Sequence, residues 1–221
     1  MLVNAVYFLG KWETPFDPQA THDETFNLLN GMMVQVPTMA RTGHFRHGQI
    51  DGVTVVDLPY RGRDLVMTLF IPEDLSGLPT IEERLSSETL ASWIGALARL
   101  ETEARLYMPR FEMEAKRALS EHLKALGMRQ AFDAEAADFG GIAVPRSAEE
   151  RLFISEAYHQ AFVKVDEVGT EAAAATAIDM AVGGMPPPSP PEIRVDRPFL
   201  FAIRERSSGA ILFLGRVVDP R

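Results

Sequence analysis

The sequence contains no cysteine, which excludes disulfide bonds, thiolate metal ligands and a cysteine nucleophile. Basic residues are also in the minority, with 22 Lys and Arg against 31 Asp and Glu and a formal net charge of −9. Proteins that bind nucleic acids carry clustered positive charge, and no basic block occurs here. We therefore expect no nucleic-acid partner.

The chain has little that would direct it to a membrane. The apolar run at residues 2–9 has no basic region before it, and Lys11 and Trp12 follow too soon for a signal peptide. No later run is long enough to span a bilayer. We expect neither a signal peptide in this chain nor a membrane partner.

Support for an enzyme is weak. Ser155, His159 and Asp166 could form a hydrolase triad, but their spacing has little specificity, because triads are defined by geometry in space. A core histidine bonded to nearby polar groups is the favoured interpretation of His159. His44 and His47 lack a third metal ligand in range, so we predict no metal site. We also predict no cofactor and no enzyme activity.

The length of 221 residues and the hydrophobic content of 46% suit one large domain or two small ones. Hydrophobic periodicity predicts helices at residues 80–100, as one or two segments, and at 116–126. These segments do not alternate regularly with the strands, which favours an α+β fold. Residues 2–9 are nearly all apolar and predict a strand buried on both faces. The other predicted strands cover residues 25–28, 33–36, 53–58, 65–71, 105–111, 152–165, 192–195, 199–204 and 211–217.

One stretch, residues 166–191, has an unusual composition, DEVGTEAAAATAIDMAVGGMPPPSPP. Its first part alternates with the two-residue period of a strand, yet alanine favours helices and is depleted in sheets. A strand, a helix and an exposed loop therefore all stay open. The proline-rich end also fits a linker, although a linker has no reason to maintain alternation over thirteen residues.

Several motifs together resemble the serpin family. LVNAVYFLGKWETPF, LGMRQAFDAEAADFGGI, SEAYHQAFVKVDEVGTEAAAAT and DRPFLFAIRE occur in the family's order, with the shorter matches VPTM, LPY, FIPED and FLGRVVDP between and after them. The resemblance covers essentially the whole chain. It implies one serpin domain over residues 1–221, with a large central sheet that has an insertable strand, two smaller β-sheets and packed helices.

The resemblance also implies a function. A serpin is a suicide substrate of a serine protease, which attacks an exposed reactive-centre loop, here residues 166–191. The acyl-enzyme is trapped when the cleaved loop inserts into the large sheet as a new strand. An intact serpin is expected to be a monomer, and the family points to an extracellular or secreted protein.

The motif matches carry site residues over to this chain. The loop hinge would comprise Glu167, Gly169, Thr170, Glu171, Ala172, Ala173, Ala174 and Ala175. The polar cluster beneath the sheet, called the shutter, would comprise Asn4, Ser155 and His159, while Trp12 matches the breach, where insertion begins. Small hinge residues suit insertion because they pass between two strands with little steric hindrance.

The reactive bond is less defined because the loop is longer than usual. Counting from the hinge and aligning the Pro-Pro-Glu motif at residues 190–192 give positions about four residues apart. The candidates are Val182, Gly183, Gly184 and Met185. No Lys or Arg lies between Val168 and Pro191, so an elastase-like or subtilisin-like protease is expected and a trypsin-like one is not.

Family members carry a long N-terminal part before the strand that corresponds to residues 2–9. We therefore expect this chain to be the C-terminal portion of the fold and to be inactive by itself. A non-inhibitory serpin that binds or supports other molecules is the alternative, and an unrelated hydrolase built on Ser155 and His159 is the third hypothesis.

Overall fold

The computed structural model describes residues 1–97, 101–144, 146–147, 150–169 and 189–221. They form two compact units, one of Met1–Phe8 with Met113–Val163 and one of Leu9–Glu112 with Lys164–Arg221. Both strands and helices occur in the described residues, and one of the two sheets has eight strands. The predicted α+β class is therefore confirmed.

The first unit contains most of a three-stranded sheet with the order β1 (Leu2–Tyr7), β8 (Ala157–Val165) and β7 (Phe111–Ala118). Strands β1 and β8 are parallel, in a register that pairs Leu2 with Ala157 and Tyr7 with Phe162. The short helix α3 (Ser120–Ala125) follows β7.

The prediction that the first strand is buried on both faces is wrong for this chain. Leu2, Val3 and Tyr7 are 50%, 59% and 52% exposed, so the described residues leave about half of each of these side chains in contact with solvent. The strand itself forms as predicted.

The second unit is built on an eight-stranded sheet of β2 (His22–Asn27), β3 (Met33–Ile50), β4 (Val53–Pro59), β5 (Leu65–Pro72), β6 (Thr102–Pro109), β9 (Glu192–Arg194), β10 (Phe199–Glu205) and β11 (Ile211–Val217). The continuous order in the sheet is β11, β10, β5, β4, β3, β6 and β9, with β2 also paired to β3. Strand β3 is 18 residues long and changes partner, since Thr38 to Phe45 pair with β6 and Arg46 to Ile50 pair with β4.

Two short helices, α1 (Leu78–Glu83) and α2 (Ser87–Gly95), complete the core of this unit. Ser86 caps α2 through a hydrogen bond from the Thr89 amide, a common way to start a helix. Trp93 on α2 is fully buried, which by area is worth about 2–3 kcal/mol. The core cluster comprises Val53, Val55, Phe70, Leu78, Ile81, Leu90, Trp93, Leu97, Leu200 and Ala202.

Several predicted bounds are corrected. Strand β3 continues to Ile50 and does not end at residue 36. Its more polar second half extends the strand because it forms backbone hydrogen bonds with β6 and then with β4. Helix α3 does not include residues 116–118, which continue β7, and β8 begins at Ala157, after residues 152–156. In the described part of the chain, no helix has the length and apolar character needed to cross a membrane.

Candidate functional site

The candidate site begins where β8 ends, in a tight turn from Asp166 to Gly169. The Asp166 amide donates to the Gly169 carbonyl at 3.0 Å, and the Gly169 amide donates back to the Asp166 carbonyl at 3.3 Å. The Asp166 carboxylate also accepts from the amides of Val168 and Gly169, as Asp commonly does in turns. The chain therefore reverses direction directly before residue 170.

Gly169 must be glycine because two backbone segments approach closely there. Its φ is +138°, and a Cβ at this position would lie 2.2 Å from the Gly10 carbonyl oxygen and 2.6 Å from Lys11 Cα. Gly169 pairs with Lys11 in an antiparallel bridge. Any side chain would have to displace backbone atoms, which cannot move as a flexible side chain does.

Trp12 holds the same turn through its backbone and its side chain. Its amide donates to the Val168 carbonyl at 2.8 Å, and its indole Nε1 donates to the Asp166 carbonyl at 2.9 Å. The ring stacks on Tyr60 with 4.7 Å between centroids and is only 2% exposed. Trp12 thus fixes the turn from two directions.

Glu167 places a buried carboxylate in the turn. Its side chain is 6% exposed and accepts hydrogen bonds from Arg110 Nε at 2.7 Å, from Arg110 Nη2 and from the Thr21 hydroxyl. Burial acts to raise the pKa of Glu167, but the bonds from Arg110 and Thr21 outweigh it and the pKa lies below its usual value. The carboxylate is therefore held in its ionised form.

These contacts form one structure, which we call the loop anchor. It consists of Trp12, Thr21, Arg110, Asp166, Glu167 and Gly169. The sequence identified Trp12, Glu167 and Gly169 through the family motifs, whereas Thr21 and Arg110 were missed. Neither carries a local signal, since they lie 146 and 57 residues away from Glu167.

The described chain resumes at Ser189, and the strand that follows, β9, is attached to the second unit by specific contacts. Strand β9 pairs in parallel with β6, with Tyr107 opposite Arg194. The Arg194 guanidinium lies 4.1 Å from the centre of the Tyr107 ring and forms ion pairs with Glu24 and Glu192. Residues 170–188 are thus flanked on both sides by segments with specific attachments.

In the first unit, Asn4 and His159 are brought together. They face each other in the β1–β8 register, and His159 Nδ1 lies 2.9 Å from Asn4 Oδ1. Asn4 is exposed and His159 is half-buried, so the expected core histidine is bonded as predicted but not fully enclosed.

Ser155 lies before β8 and is exposed. Among the described residues, no hydrogen bond joins Ser155 to His159. The Asp166 carboxylate is used by the turn amides. Among the described residues, Ser155 and His159 therefore do not form the nucleophile–base pair that a hydrolase triad requires.

The remaining predicted site residues lie outside the described part of the chain. They are the hinge residues Thr170, Glu171, Ala172, Ala173, Ala174 and Ala175 and the reactive-bond candidates Val182, Gly183, Gly184 and Met185. The described residues contain no group of three or more His, Asp or Glu side chains placed to hold a metal ion.

The motif order and the α+β fold together point to one class of protein. The chain belongs to the serpin family, since the model described as serpin (serine protease inhibitor) matches residues 1–220. The family suggested by the sequence motifs is thereby confirmed, and so is the serpin fold.

Curated relatives cover the whole of this chain. Serpin-Z2B of Triticum aestivum is 40% identical, leukocyte elastase inhibitor of Homo sapiens 38% and antithrombin-III of Mus musculus 35%. The matches span 56%, 58% and 46% of those proteins. The chain therefore spans about half the length of the curated relatives it matches.

Solved structures of serpins have the same fold as this chain. Native protease nexin-1 with heparin has a TM-score of 0.82 at 33% identity, covering 99% of this chain and 56% of the other. The thermophilic serpin Tengpin in its native state has a TM-score of 0.83 at 28% identity, covering 98% and 55%.

Proposed function

We propose that this chain carries the inhibitory loop of a serine protease inhibitor that acts as a suicide substrate. The observation that carries the proposal is the attachment of the loop at both ends, by the loop anchor before residue 170 and by β9 after residue 188. A segment held in this way can present a bond to a protease while its ends stay on the protein.

In the proposed reaction, the protease serine attacks a carbonyl of the loop and forms an ester, and the released amine end stays attached through β9. The upstream segment then enters the three-stranded sheet between β1 and β8. Because the turn at Asp166–Gly169 is tight, the new strand would run antiparallel to β8, replacing the parallel β1–β8 ladder with new hydrogen bonds on both sides. About fourteen residues at about 3.3 Å each would carry the protease roughly 45 Å.

The side-chain pair Asn4–His159 bridges the two strands that must separate. We therefore assign it, with Ser155, to the control of sheet opening, and Trp12 to the place where insertion starts. A polar pair of this kind resists separation until another partner replaces each lost bond.

A charged residue at the hinge provides a sharp test. In the alternating pattern Thr170 lies on the side that would be buried and Glu171 on the other, so Thr170→Arg should block insertion. We expect this variant of the complete protein to be cleaved as a substrate, whereas Glu171→Arg, the matched control, should still trap the protease. A covalent complex of Thr170→Arg that survives a denaturing gel would contradict the mechanism.

The target and the reactive bond are tested by incubation with elastase, subtilisin, chymotrypsin and trypsin. We expect covalent adducts with an elastase- or subtilisin-like enzyme, and cleavage at Val182, Gly183, Gly184 or Met185 by mass spectrometry of the released peptide. Cleavage without an adduct would support the non-inhibitory alternative, and turnover of an ester substrate would support the hydrolase.

We further propose that the 221-residue chain alone is cut without trapping the protease, because Leu2 and Val3 of β1 are at least half exposed in the described residues. The complete inhibitor is expected to be a monomer and to be secreted. Sedimentation of the complete protein and immunodetection in the culture medium would test these two expectations.

A further inference from the structure

The turn between β2 and β3 carries a chemistry that the proposed function does not use. The Leu28 amide donates to the Met32 carbonyl at 2.8 Å and the Gly31 amide donates to the Leu28 carbonyl at 2.9 Å. With φ of +81° at Gly31, this is a three-residue hairpin loop closed by glycine. Asn30 and Gly31 at its tip are both exposed.

The side chain of Asn30 is folded over the peptide bond that follows it. Asn30 Oδ1 accepts a hydrogen bond from the Met32 amide at 3.0 Å. The ring closed by this bond includes the Gly31 nitrogen, so the bond holds the Asn30 side-chain carbonyl carbon close to that nitrogen. The Met32 N–H is also placed to stabilise negative charge on Oδ1 when a nucleophile adds to that carbon.

Gly31 leaves the attacking nitrogen unshielded. It has no Cβ, and even a Cβ built at this position would meet no atom within 4 Å. Steric contacts at Gly31 therefore do not hinder movement of its nitrogen toward the Asn30 side chain or entry of water afterwards. The bond from the Gly31 amide to the Leu28 carbonyl is the one contact that must open.

We propose that Asn30 is a self-modification site. The Gly31 nitrogen bonds to Cγ of Asn30 and loses its proton to water, and the Cγ–Nδ2 bond breaks as ammonia leaves, giving a five-membered succinimide. Water then adds to one of the two ring carbonyls and opens the ring to aspartate or isoaspartate. The net reaction exchanges an amide and water for a carboxylate and ammonium, without oxidation or reduction.

Conversion of Asn30 is expected to affect the segment around Asp196, which lies close in sequence to the proposed reactive loop. The backbone amide and the side-chain amide of Asn27 both donate to the Asp196 carbonyl, at 2.8 Å and 3.0 Å, and Asp196 follows β9. Conversion adds a negative charge at the turn, and isoaspartate also adds a methylene to its backbone. The pairing of Asn27 with Met33 at the end of the hairpin should therefore loosen.

The chain supplies its own controls, because it has three asparagines, Asn4, Asn27 and Asn30, and only Asn30 precedes glycine. The 221-residue protein is aged at mildly alkaline pH, and each asparagine is followed by peptide mass spectrometry with isoaspartate detection. We expect Asn30 to convert at least about tenfold faster than Asn4 or Asn27, with both isoaspartate and aspartate as products. Equal rates at the three sites, or aspartate as the sole product at Asn30, would overturn the proposal.

Two further measurements sharpen the test. Asn30→Gln needs a larger ring and should stop conversion at this position, so continued loss of ammonia there would contradict the succinimide route. Hydrogen exchange of the aged protein should be faster than that of the fresh protein at the Asn27 and Leu28 amides. Unchanged exchange after conversion would refute the proposed effect on the hairpin.

Discussion

At the level of single residues, Glu167 combines a buried carboxylate with donors from two distant parts of the chain, Arg110 and Thr21. Such a group is favourable only while its partners are present, because an isolated buried charge loses its hydration without compensation. Glu167 lies two residues after the end of β8, within the turn, so a change at Glu167 tests the stability of the loop anchor directly.

Replacing Glu167 by Gln should destabilise the protein. The amide keeps the shape but removes the charge that Arg110 binds, so we expect the free energy of unfolding to fall by about 1–3 kcal/mol. Urea denaturation followed by fluorescence measures this loss. The matched control is Glu112→Gln, whose side chain is 58% exposed and 3.7 Å from Lys164, and which should change stability by less than about 0.5 kcal/mol. Equal effects of the two changes would contradict the role of Glu167.

The depressed pKa of Glu167 predicts a dependence of stability on pH. Its contribution is fully present above the pKa of an unfolded glutamate, about 4.3, and is lost as the pH falls from there through the lower folded pKa. Unfolding free energies should therefore decline more steeply with acid in the wild type than in Glu167→Gln over about pH 5 to 3. Parallel curves for the two proteins would show that this carboxylate does not contribute.

At the level of elements, β9 is held by few backbone hydrogen bonds because it has only three residues. The contacts of Arg194 with Tyr107, Glu24 and Glu192 therefore matter more than they would in a long strand. They hold the segment that follows residue 191 against β6.

Arg194→Ala should release β9. Losing the stacking and the two ion pairs should speed hydrogen exchange of the Glu192–Arg194 amides by about tenfold, which corresponds to about 1.4 kcal/mol. Peptide-level exchange with mass spectrometry measures it. Arg216→Ala removes an exposed arginine that pairs with Glu82 on α1 and should leave β9 unchanged. Slow exchange in β9 of Arg194→Ala would contradict the prediction.

Most strands were predictable from sequence, whereas their lengths and distant partners were not. The apolar residues of β4, β5, β10 and β11, bounded by turn residues, mark these strands clearly, and the structure confirms each of them. The second half of β3 was missed because Arg46, His47 and Gln49 give it a polar pattern, although β4 pairs with it. Arg110 was missed for a different reason, because it lies 57 residues from Glu167 and only the folded chain brings the two side chains together.

At the level of the whole molecule, burial is unevenly distributed within the chain. Met67, Leu69 and Phe70 on β5 are fully buried, whereas Leu2 and Val3 on β1 are at least half exposed. Backbone amides exchange slowly where opening requires the loss of much buried surface.

We therefore expect the slowest hydrogen exchange in β5 and β10 and much faster exchange in β1. Exchange measured over minutes to hours on the 221-residue protein tests this order. Equal protection of β1 and β5 would show that the faces of β1 are covered in solution by something that the described residues do not supply.

The hydrogen bond from Trp12 to Asp166 has a consequence for biosynthesis. The two residues are 154 positions apart, so at about 5–20 residues per second a nascent Trp12 waits roughly 8–30 s before Asp166 is synthesised. Contacts of such separation also slow folding after synthesis, because a long loop must close before they form. Throughout that interval the Trp12 indole lacks its Asp166 acceptor, so the turn at Asp166–Gly169 is completed late.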